Sequence, residues 1–385
     1  MLKMFGNNGK LNVAIISDIY KPFTGGVTTV VEDLINNLKN DCNVVLFCQN
    51  GKIEDKDDFP IVRCKTIPFL KSTGDIPIPN LDFKLKKLFK SLNIDIIHIH
   101  TFFGLAAFAL KMSKKLNIPV VYHGHTKLYD EYMSISNSKL ISKILTKRAV
   151  KKLNKATEIW AVSEGTKEIY KSLGVTKPLK VVRNTTKFDY LDDQKFVKEI
   201  KEKYNIHSGS VAFFMSRMEI KTKNIDFLLR ASKQALNKLD FQLVLTGGGT
   251  DYDKIVEMTK ALKIYDKCVF TGEIKDQKTR EALYQIADLF VFPSVCDTAG
   301  IVILEAASQK TPTLCIEKTF PAEIIVDEEN GYLSKLDEQC FADNMIKIFR
   351  SKNRKIVGEN AYKQLLNKDV YQKIYERYKE LVKNK

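Results

Sequence analysis

The sequence contains no uncharged apolar run long enough to cross a bilayer. A spanning helix needs roughly 18 such residues, whereas the longest strongly apolar stretches, such as 104–110, are much shorter. The apolar run 11–17 ends at Asp18 without a small-residue cleavage pattern, which predicts a first β-strand and not a secretory signal. We therefore expect a cytoplasmic protein with no transmembrane helix.

Glycine and proline are also scarce, at 18 and 10 of 385 residues, which excludes collagen-like and low-complexity chains. No repeat of fixed period is present, so solenoids and propellers are excluded as well. The seven cysteines form an odd set without a Cys-x-x-Cys pair, and this favours free thiols in a reducing cytosol. The length and the 44% hydrophobic content predict two domains, each with its own core.

Acidic residues are too few to balance the basic ones, and the chain carries a net charge of +16. Residues 1–190 hold 30 Lys and Arg against 17 Asp and Glu, so most of the excess lies in the first half. This asymmetry favours a polyanionic partner, either nucleic acid or an anionic membrane surface, over an inert lysine-rich surface. No RNA motif, zinc finger or aromatic-rich basic groove is present, so we expect a membrane surface and no nucleic acid.

Short β-branched runs alternate with amphipathic helical segments along the whole chain. Strands are predicted at 11–17, 43–48, 94–100, 118–123 and 158–163, and again at 211–215, 241–246, 268–271, 289–292 and 312–316. This order predicts an α/β protein of two Rossmann-like, doubly wound parallel-sheet domains that face a central cleft. We predict one domain over 1–187, a second over 188–367, and a helix over 368–385 that packs back on the first.

Two strand-to-helix turns carry residues suited to phosphate. Gly25 and Gly26 precede the first helix, where small residues let backbone N–H groups approach an anion, although a plain tight turn gives the same pattern. In the second half, one turn holds Arg217, Lys221 and Lys223, and a planar guanidinium beside mobile amines suits a diphosphate. Scattered surface cations are the alternative interpretation of this turn.

The segment 292–306 places one carboxylate, Asp297, in a loop after a strand and a second, Glu305, eight positions later in an otherwise apolar helix. Carboxylates accept hydrogen bonds from sugar hydroxyls, and Gly300 with the helix start offers free N–H groups for phosphate. Because a buried carboxylate without a partner is costly, Glu305 is expected to bind a polar ligand, with an internal ion pair as the alternative.

These motifs, together with the segment 284–294, resemble the retaining nucleotide-sugar glycosyltransferases of family 4, which have the GT-B fold. The resemblance covers about residues 11–335. It implies that the first domain binds the acceptor and that the second binds the sugar nucleotide. In this family Glu usually stands where this chain has Asp297, so the resemblance leaves the identity of the donor sugar open.

The resemblance also implies roles for particular residues. Arg217 and Lys223 would hold the diphosphate, and Gly26 would contact phosphate from the other domain. Glu305 would hold the nucleotide ribose, and Asp297 would bind hydroxyls of the donor sugar. Gly300 is expected to contact the donor as well.

A narrower similarity, to the diacylglycerol glucosyltransferases, lies in the segments 98–105 and 122–132. In that branch the histidine that matches His125 lies beside the transferred sugar, and Thr298 after the first carboxylate also fits, on the donor side. Asp18 and Tyr20 of the first turn are predicted to lie on the acceptor side.

Histidines two residues apart, at 98 and 100, share one face of a predicted strand and offer nitrogen ligands to a metal. No Cys, Asp or Glu completes a ligand set at a suitable spacing, and so we predict no metal.

Residues 138–155 carry seven cations and no acid, and their apolar residues fall on one helical face. A helix of this kind can lie in the headgroup layer of a membrane, where each basic residue near an anionic surface contributes about 1 kcal/mol. Membrane contacts are expected from Lys143, Lys147, Arg148, Lys151 and Lys152. An ordinary domain helix with a solvated basic face is the alternative.

The resemblance and the charge together predict a peripheral enzyme on the inner face of the cell membrane. It would move a hexose, glucose from UDP-glucose, onto a lipid such as 1,2-diacylglycerol with retention of the anomeric configuration. No cofactor, metal or obligate protein partner is expected besides the nucleotide-sugar donor. A polyprenyl-linked glycan, a polysaccharide or another acceptor is the alternative substrate.

Overall fold

The computed structural model describes residues 5, 8–22, 25–51, 58–67, 76–207, 209–366 and 369–384. The chain divides into two compact units, a first unit of Met1–Asn184 with Lys368–Lys385 and a second unit of Thr185–Asn367. Each unit is built on one parallel β-sheet with helices on both faces. The predicted α/β architecture of two parallel-sheet domains is therefore confirmed.

The described strands of the first unit are β1 (Leu11–Ser17), β2 (Cys42–Gln49), β3 (Ile61–Cys64), β4 (Thr66–Ile67), β5 (Ile76–Pro77), β6 (Ile96–Ile99), β7 (Val120–Gly124), β8 (Glu158–Ala161) and β9 (Leu179–Val181). The short strands β4 and β5 pair with each other in antiparallel fashion. The other seven form a parallel sheet in the order β3-β2-β1-β6-β7-β8-β9. Strand β1 is buried along almost its whole length, as expected of a central strand covered on both faces.

The helices that accompany these strands are α1 (Gly26–Leu38), α2 (Phe83–Ser91), α3 (Gly104–Leu116), α4 (Leu128–Ser136), α5 (Lys139–Leu153) and α6 (Glu164–Ser172). Buried residues of α2, α3 and α5 belong to the core on one face of the sheet. Buried residues of α1 belong to the core on the opposite face.

The second unit opens with α7 (Gln194–Lys203), β10 (Ser210–Met215), α8 (Ile220–Lys223), α9 (Ile225–Leu236), β11 (Phe241–Thr246), α10 (Tyr252–Ala261) and β12 (Cys268–Gly272). It continues with α11 (Gln277–Ile286), β13 (Leu289–Phe292), α12 (Ile301–Ser308), β14 (Thr313–Ile316), β15 (Tyr332–Ser334), α13 (Glu338–Arg350) and α14 (Arg354–Leu365). Its six strands form a parallel sheet in the order β12-β11-β10-β13-β14-β15.

The last helix, α15 (Val370–Lys383), belongs to the first unit, far in sequence from the rest of it. It buries an apolar stripe of residues at helical spacing, Val370, Ile374, Tyr378 and Leu381. Arg377 on the same helix pairs with Glu158 of β8, whose side chain is only 1% exposed. The helix therefore completes the core of the first unit with both apolar and ionic contacts.

Three strands of the two main sheets have no counterpart among the predicted ones. They are β3, β9 and β15, all at sheet edges and only three or four residues long. In β9 every residue is partly or fully exposed, so the run shows no hydrophobic pattern by which a strand is recognised in sequence. Short edge strands depend on hydrogen bonds to a neighbouring strand, and hydrophobic periodicity in the sequence does not predict that pairing.

Candidate active site

The two sheets reverse their strand order at equivalent places, between β1 and β6 in the first unit and between β10 and β13 in the second. In open parallel sheets, ligands bind outside the carboxyl ends of the strands at such switch points. The predicted donor residues 217 and 223 follow β10, and 297 to 300 follow β13, while Asp18 follows β1 and the histidines end β6 and β7. Each set of predicted site residues therefore lies at the switch point of its own unit.

In the second unit, the structure brings Lys223 and Asp297 into direct contact. Lys223 Nζ lies 2.8 Å from Asp297 Oδ1 and 3.0 Å from Oδ2, and both side chains are largely shielded, at 14% and 24% exposure. The two loops that carry them are also joined through backbone atoms, since Asn224 Nδ2 donates to Pro293 O and Ser294 Oγ donates to Thr222 O. Lys223, predicted to bind the diphosphate of the donor, and Asp297, predicted to bind its sugar, thus form one ion pair.

Arg217 occupies the same edge, two residues beyond β10, but its side chain is 66% exposed. Its Nη1 lies 2.7 Å from Glu219 Oε1. An exposed ion pair of this kind contributes little to stability, so its guanidinium can exchange partners for an anionic ligand at small cost.

Sequence reasoning missed a glycine run beside this turn. A Cβ on Gly247 would lie 1.8 Å from Ser216 O, and one on Gly249 would lie 2.6 Å from Met218 O. Gly248 O in turn accepts a hydrogen bond from Met218 N at 2.9 Å. These positions therefore require glycine so that the loop after β11 can support the Arg217 turn. Three consecutive glycines directly after a buried strand were the available signal.

Gly300 begins α12 with a left-handed conformation, φ 58°. A Cβ there would lie 2.8 Å from Pro321 Cβ, so both backbone angle and space require glycine. No side chain caps this helix end, which follows directly on the loop that carries Asp297 and Thr298. Thr298 is partly buried in that loop.

Glu305 lies in the second turn of α12 and is only 4% exposed. Tyr284 OH donates to its Oε2 at 2.9 Å. Burial raises the pKa of Glu305, while the nearby Arg280 charge and the Tyr284 hydrogen bond act in the opposite direction. The expected polar partner therefore exists within the protein, and a contact between Glu305 and a ribose stays a prediction.

Among the described residues, no ion pair or hydrogen bond joins any two of the three groups expected to converge on one donor, Arg217, Lys223 and Glu305. Arg217 pairs with Glu219, Lys223 with Asp297, and Glu305 with Tyr284. Arg217 and Lys223 share the turn after β10, and α12, which carries Glu305, follows the adjacent strand β13. Their joint use of one ligand stays a prediction.

In the first unit, Asp18 and Tyr20 have structural partners. Asp18 is 3% exposed and accepts hydrogen bonds from Phe103 N at 2.9 Å and Leu105 N at 2.7 Å, at the start of α3. Tyr20 is fully buried, and its hydroxyl lies 3.3 Å from Glu32 Oε1. These contacts give both residues a role in folding, and their acceptor-side roles stay predictions.

Gly26 is the first residue of α1 and is exposed. No side chain caps this helix end. The placement is compatible with the predicted phosphate contact through backbone N–H groups.

Four of the five histidines form a buried cluster at the carboxyl ends of β6 and β7. His125 is 7% exposed, its Nε2 lies 2.9 Å from His100 Nδ1, and the two rings stack with centroids 5.1 Å apart. Burial is the main cause that lowers the pKa of each ring in the cluster, to about 4 for His123. The imidazoles are therefore neutral at physiological pH.

The basic helix α5 packs differently from the predicted amphipathic pattern. The side of the helix that faces the core contains Ser142, Thr146, Ala149, Val150 and Leu153. The first two turns instead expose large apolar side chains, Leu140 at 69%, Ile141 at 48% and Ile144 at 42%. All five predicted membrane-contacting cations on this helix are exposed as well.

A second apolar pair was missed by sequence reasoning. Leu81 is 66% exposed and Phe83 is 77% exposed, directly before and at the start of α2. The same short helix carries four lysines, Lys84, Lys86, Lys87 and Lys90. Among the described residues, no helix combines the length and apolar composition required to cross a membrane.

Two family models match the chain. One, described as Glycosyltransferase Family 4, matches residues 24–188, and the other, Glycosyl transferases group 1, matches residues 196–364. Together they account for most of both units.

Among curated relatives, the chain is similar to alpha-monoglucosyldiacylglycerol synthases of Streptococcus pneumoniae and Acholeplasma laidlawii. The first is 27% identical, over 84% of this chain and 75% of the relative, and the second is 26% identical over 86% of each. N-acetyl-alpha-D-glucosaminyl L-malate synthase of Bacillus anthracis is 23% identical over 77% of this chain and 76% of the relative.

Solved structures share the fold. Anabaena Alr3699/HepE in complex with UDP and glucose superposes with a TM-score of 0.78 at 18% identity, covering 96% of this chain and all of the other. Sucrose-phosphate synthase from Thermosynechococcus elongatus gives a TM-score of 0.81 at 17% identity, covering 98% of this chain and all of the other.

Proposed function

Since the chain belongs to glycosyltransferase family 4 and has the GT-B fold, we propose that it transfers glucose from UDP-glucose to a lipid such as 1,2-diacylglycerol. The reaction takes place at the cytoplasmic face of the cell membrane and retains the anomeric configuration. Two relatives named as diacylglycerol-related glucosyl enzymes, matched over most of their length, support this choice of acceptor and sugar.

The exposed surface of α5 is the feature that best supports a lipid acceptor. Leu140, Ile141 and Ile144 are exposed to solvent on the same helix as the exposed cations. This helix belongs to the unit that is expected, from the family resemblance, to bind the acceptor. Apolar residues that insert among acyl chains and cations that meet anionic headgroups are what an interfacial helix provides. The exposed Leu81 and Phe83 beside the lysines of α2 supply a second surface of the same chemistry.

The donor would be held in the second unit. Lys223 and Arg217 neutralise the diphosphate, and the uncapped start of α12 at Gly300 adds backbone N–H groups. Asp297, now bound to Lys223, accepts hydrogen bonds from sugar hydroxyls while the amine moves to the phosphate. Cations at these positions would take the place of a metal on the diphosphate.

The transfer itself would need no covalent intermediate. The acceptor hydroxyl attacks the anomeric carbon on the face that the leaving phosphate vacates, and a phosphate oxygen takes the hydroxyl proton. His125, held by His100, lies beside the sugar and stabilises positive charge that develops on the ring. Exclusion of water by the bound acceptor limits hydrolysis of the donor.

The decisive experiment supplies purified protein with radiolabelled UDP-glucose and vesicles that contain 1,2-diacylglycerol and an anionic phospholipid. We expect a labelled glucosyl lipid with the α configuration. Parallel assays with UDP-galactose, UDP-N-acetylglucosamine and GDP-mannose identify the donor. Label that enters only water, or only a water-soluble acceptor, would refute the lipid acceptor.

A non-diacylglycerol acceptor is the second candidate. The Bacillus anthracis relative is named for the glycosylation of L-malate, a small hydroxy acid, and it is only slightly less similar than the lipid enzymes. A polyprenyl-linked glycan or a polysaccharide belongs to the same class of alternatives. The chain would then bind anionic vesicles without glucosylating their diacylglycerol.

A further inference from the structure

We propose that His98, His100 and His123 form a binding site for a first-row divalent transition metal, with Zn²⁺ as the expected ion. One ring nitrogen from each of the three residues lies within 4.8 Å of the other two, and all three side chains are buried. His98 and His123 lie on the adjacent parallel strands β6 and β7, and His100 directly follows the end of β6.

The outward-facing nitrogens of all three rings are already engaged. His98 Nδ1 lies 2.5 Å from Tyr378 OH, His100 Nδ1 lies 2.9 Å from His125 Nε2, and His123 Nε2 lies 3.0 Å from Val182 O. Metal-bound histidines commonly use their second ring nitrogen in this way, to fix ring orientation and tautomer. The carbonyl partner requires His123 Nε2 to carry the proton, which leaves Nδ1 as the nitrogen with a lone pair.

The remaining nitrogens lack partners. His98 Nε2 and His100 Nε2 are buried and have no hydrogen-bond partner among the described residues. Unpaired buried nitrogens are rare because water, a protein group or an ion normally satisfies them. Here two such nitrogens belong to neighbouring rings, with centroids 4.3 Å apart, of residues that are 0% and 2% exposed.

Three histidine nitrogens are a ligand set that Zn²⁺ takes in proteins. Zn–N bonds are about 2.0–2.1 Å, which places the nitrogens of a tetrahedral set about 3.4 Å apart. Metal binding would therefore have to draw the three nitrogens closer together than the 4.8 Å limit within which they now lie, and water would supply the fourth ligand.

A metal at this site would also act on His125. With His100 bound through Nε2, its Nδ1 carries the proton and donates to His125 Nε2. Neutral His125 then carries its own proton on Nδ1. The metal thereby selects one tautomer of the residue proposed to lie beside the sugar, without contacting the donor diphosphate.

Spacing along the sequence argued against a metal because His98 and His100 had no Cys, Asp or Glu to complete their set. The third ligand is instead a histidine on the neighbouring strand, which strand pairing alone brings close.

Metal binding can be measured without any donor or acceptor, on tag-free full-length protein stripped with a chelator. Titration with Co²⁺ should saturate at one ion per chain and give visible absorption of tetrahedral Co²⁺, which Zn²⁺ abolishes. His123→Gln should weaken Co²⁺ binding at least 100-fold. The matched control, His207→Gln, alters an exposed histidine of the second unit and should leave the affinity unchanged.

Wild-type protein labelled with ¹⁵N-histidine provides a test that no folding defect can affect. Zn²⁺ should shift the ring signals of the cluster and complete the change at one equivalent, while the His207 signal stays in place. Absence of stoichiometric Co²⁺ or Zn²⁺ binding to the wild-type protein, or equal affinity in a folded His123→Gln variant, would overturn the metal site. Either result leaves the transferase assignment untouched.

Discussion

The main sheets of the two units follow the same strand order, but the side chains at their switch points differ in charge and burial. In the first unit the carboxyl ends of β6 and β7 carry buried, neutral imidazoles, and in the second the ends of β10 and β13 carry a shielded Lys223–Asp297 pair and an exposed guanidinium. Cations suit the diphosphate of the proposed donor, whereas neutral rings suit an uncharged sugar or the proposed metal ion. Topology therefore decides where each candidate site lies, and the side chains decide which kind of ligand it can take.

The largest effect is expected from a substitution that destabilises the first unit and leaves the stability of the second unit unchanged. Ile374→Asp places a carboxylate in the core that α15 completes, and burial of an unpaired charge should destabilise the first unit by about 4 kcal/mol or more. Differential scanning calorimetry should show one transition lowered by about 10 °C and the other unchanged. Lys373→Asp, on the exposed side of the same helix, is the control. Equal loss in both transitions would contradict the independence of the units.

Loss of the Lys223 amine should strongly reduce the kcat/KM of the enzyme. Lys223→Ala removes the partner of Asp297 and a cation from the diphosphate, so kcat/KM should fall about 10²- to 10³-fold. Lys221→Ala, on the same short helix α8 and exposed, should stay within about 3-fold, because general surface charge is not what the site requires. Similar losses in both variants would mean that the contact with Asp297 has no special role.

A substitution at the histidine cluster of the first unit should lower kcat more than it changes the KM for the donor. His125→Asn keeps a polar group next to His100 but loses the ring, and kcat should fall about 10²-fold with little change in the KM for the donor. His207→Asn, in the second unit, is the control for loss of a histidine. A raised donor KM at constant kcat would place His125 in donor binding and weaken the contrast between the units.

Membrane binding should depend on the first unit alone. Leu140→Ser with Ile144→Ser should reduce partitioning onto anionic vesicles about 10-fold, because both side chains are exposed and available to the bilayer. The variant Ile356→Ser removes an apolar side chain that is 60% exposed in the second unit, and it should have no effect.

Charge on α5 provides the complementary test. Neutralising Lys147, Arg148, Lys151 and Lys152 should weaken binding to anionic vesicles, at about 1 kcal/mol for each residue near the surface, and the loss should shrink at high salt. Sedimentation with vesicles at two salt concentrations measures both effects. Unchanged partitioning would remove α5 from the membrane surface.

The smallest effect concerns the buried carboxylate of the second unit. Because burial raises the pKa of folded Glu305 above its usual value near 4.5, its protonated form is favoured by folding. Its contribution to stability is complete below that pH and is lost as pH rises through the folded pKa. Glu305→Gln cannot ionise, so its melting temperature relative to wild type should rise by about 2 °C between about pH 5 and 8. The exposed Glu257→Gln should show no such trend.

The central strands followed from the sequence, since β13 is buried over its whole length and β1 over almost all of it, and both contain continuous apolar runs. Edge strands such as β9 did not, because they are exposed and are stabilised by pairing with a neighbouring strand. The glycines after β11 were visible in the sequence, but their purpose, to let the Arg217 turn approach within contact distance, depends on a chain segment 30 residues away.

Sequence by itself determined the two-unit α/β architecture, the family, the candidate donor residues and the basic character of α5, because periodicity, spacing and composition are local properties. Tertiary structure alone decided which side chains meet. It paired Lys223 with Asp297, engaged Glu305 with Tyr284, used Asp18 at the start of α3, and brought three histidines together at the ends of two adjacent strands. These outcomes depend on distances between segments remote in sequence, and such distances are fixed only when strands pair and cores close.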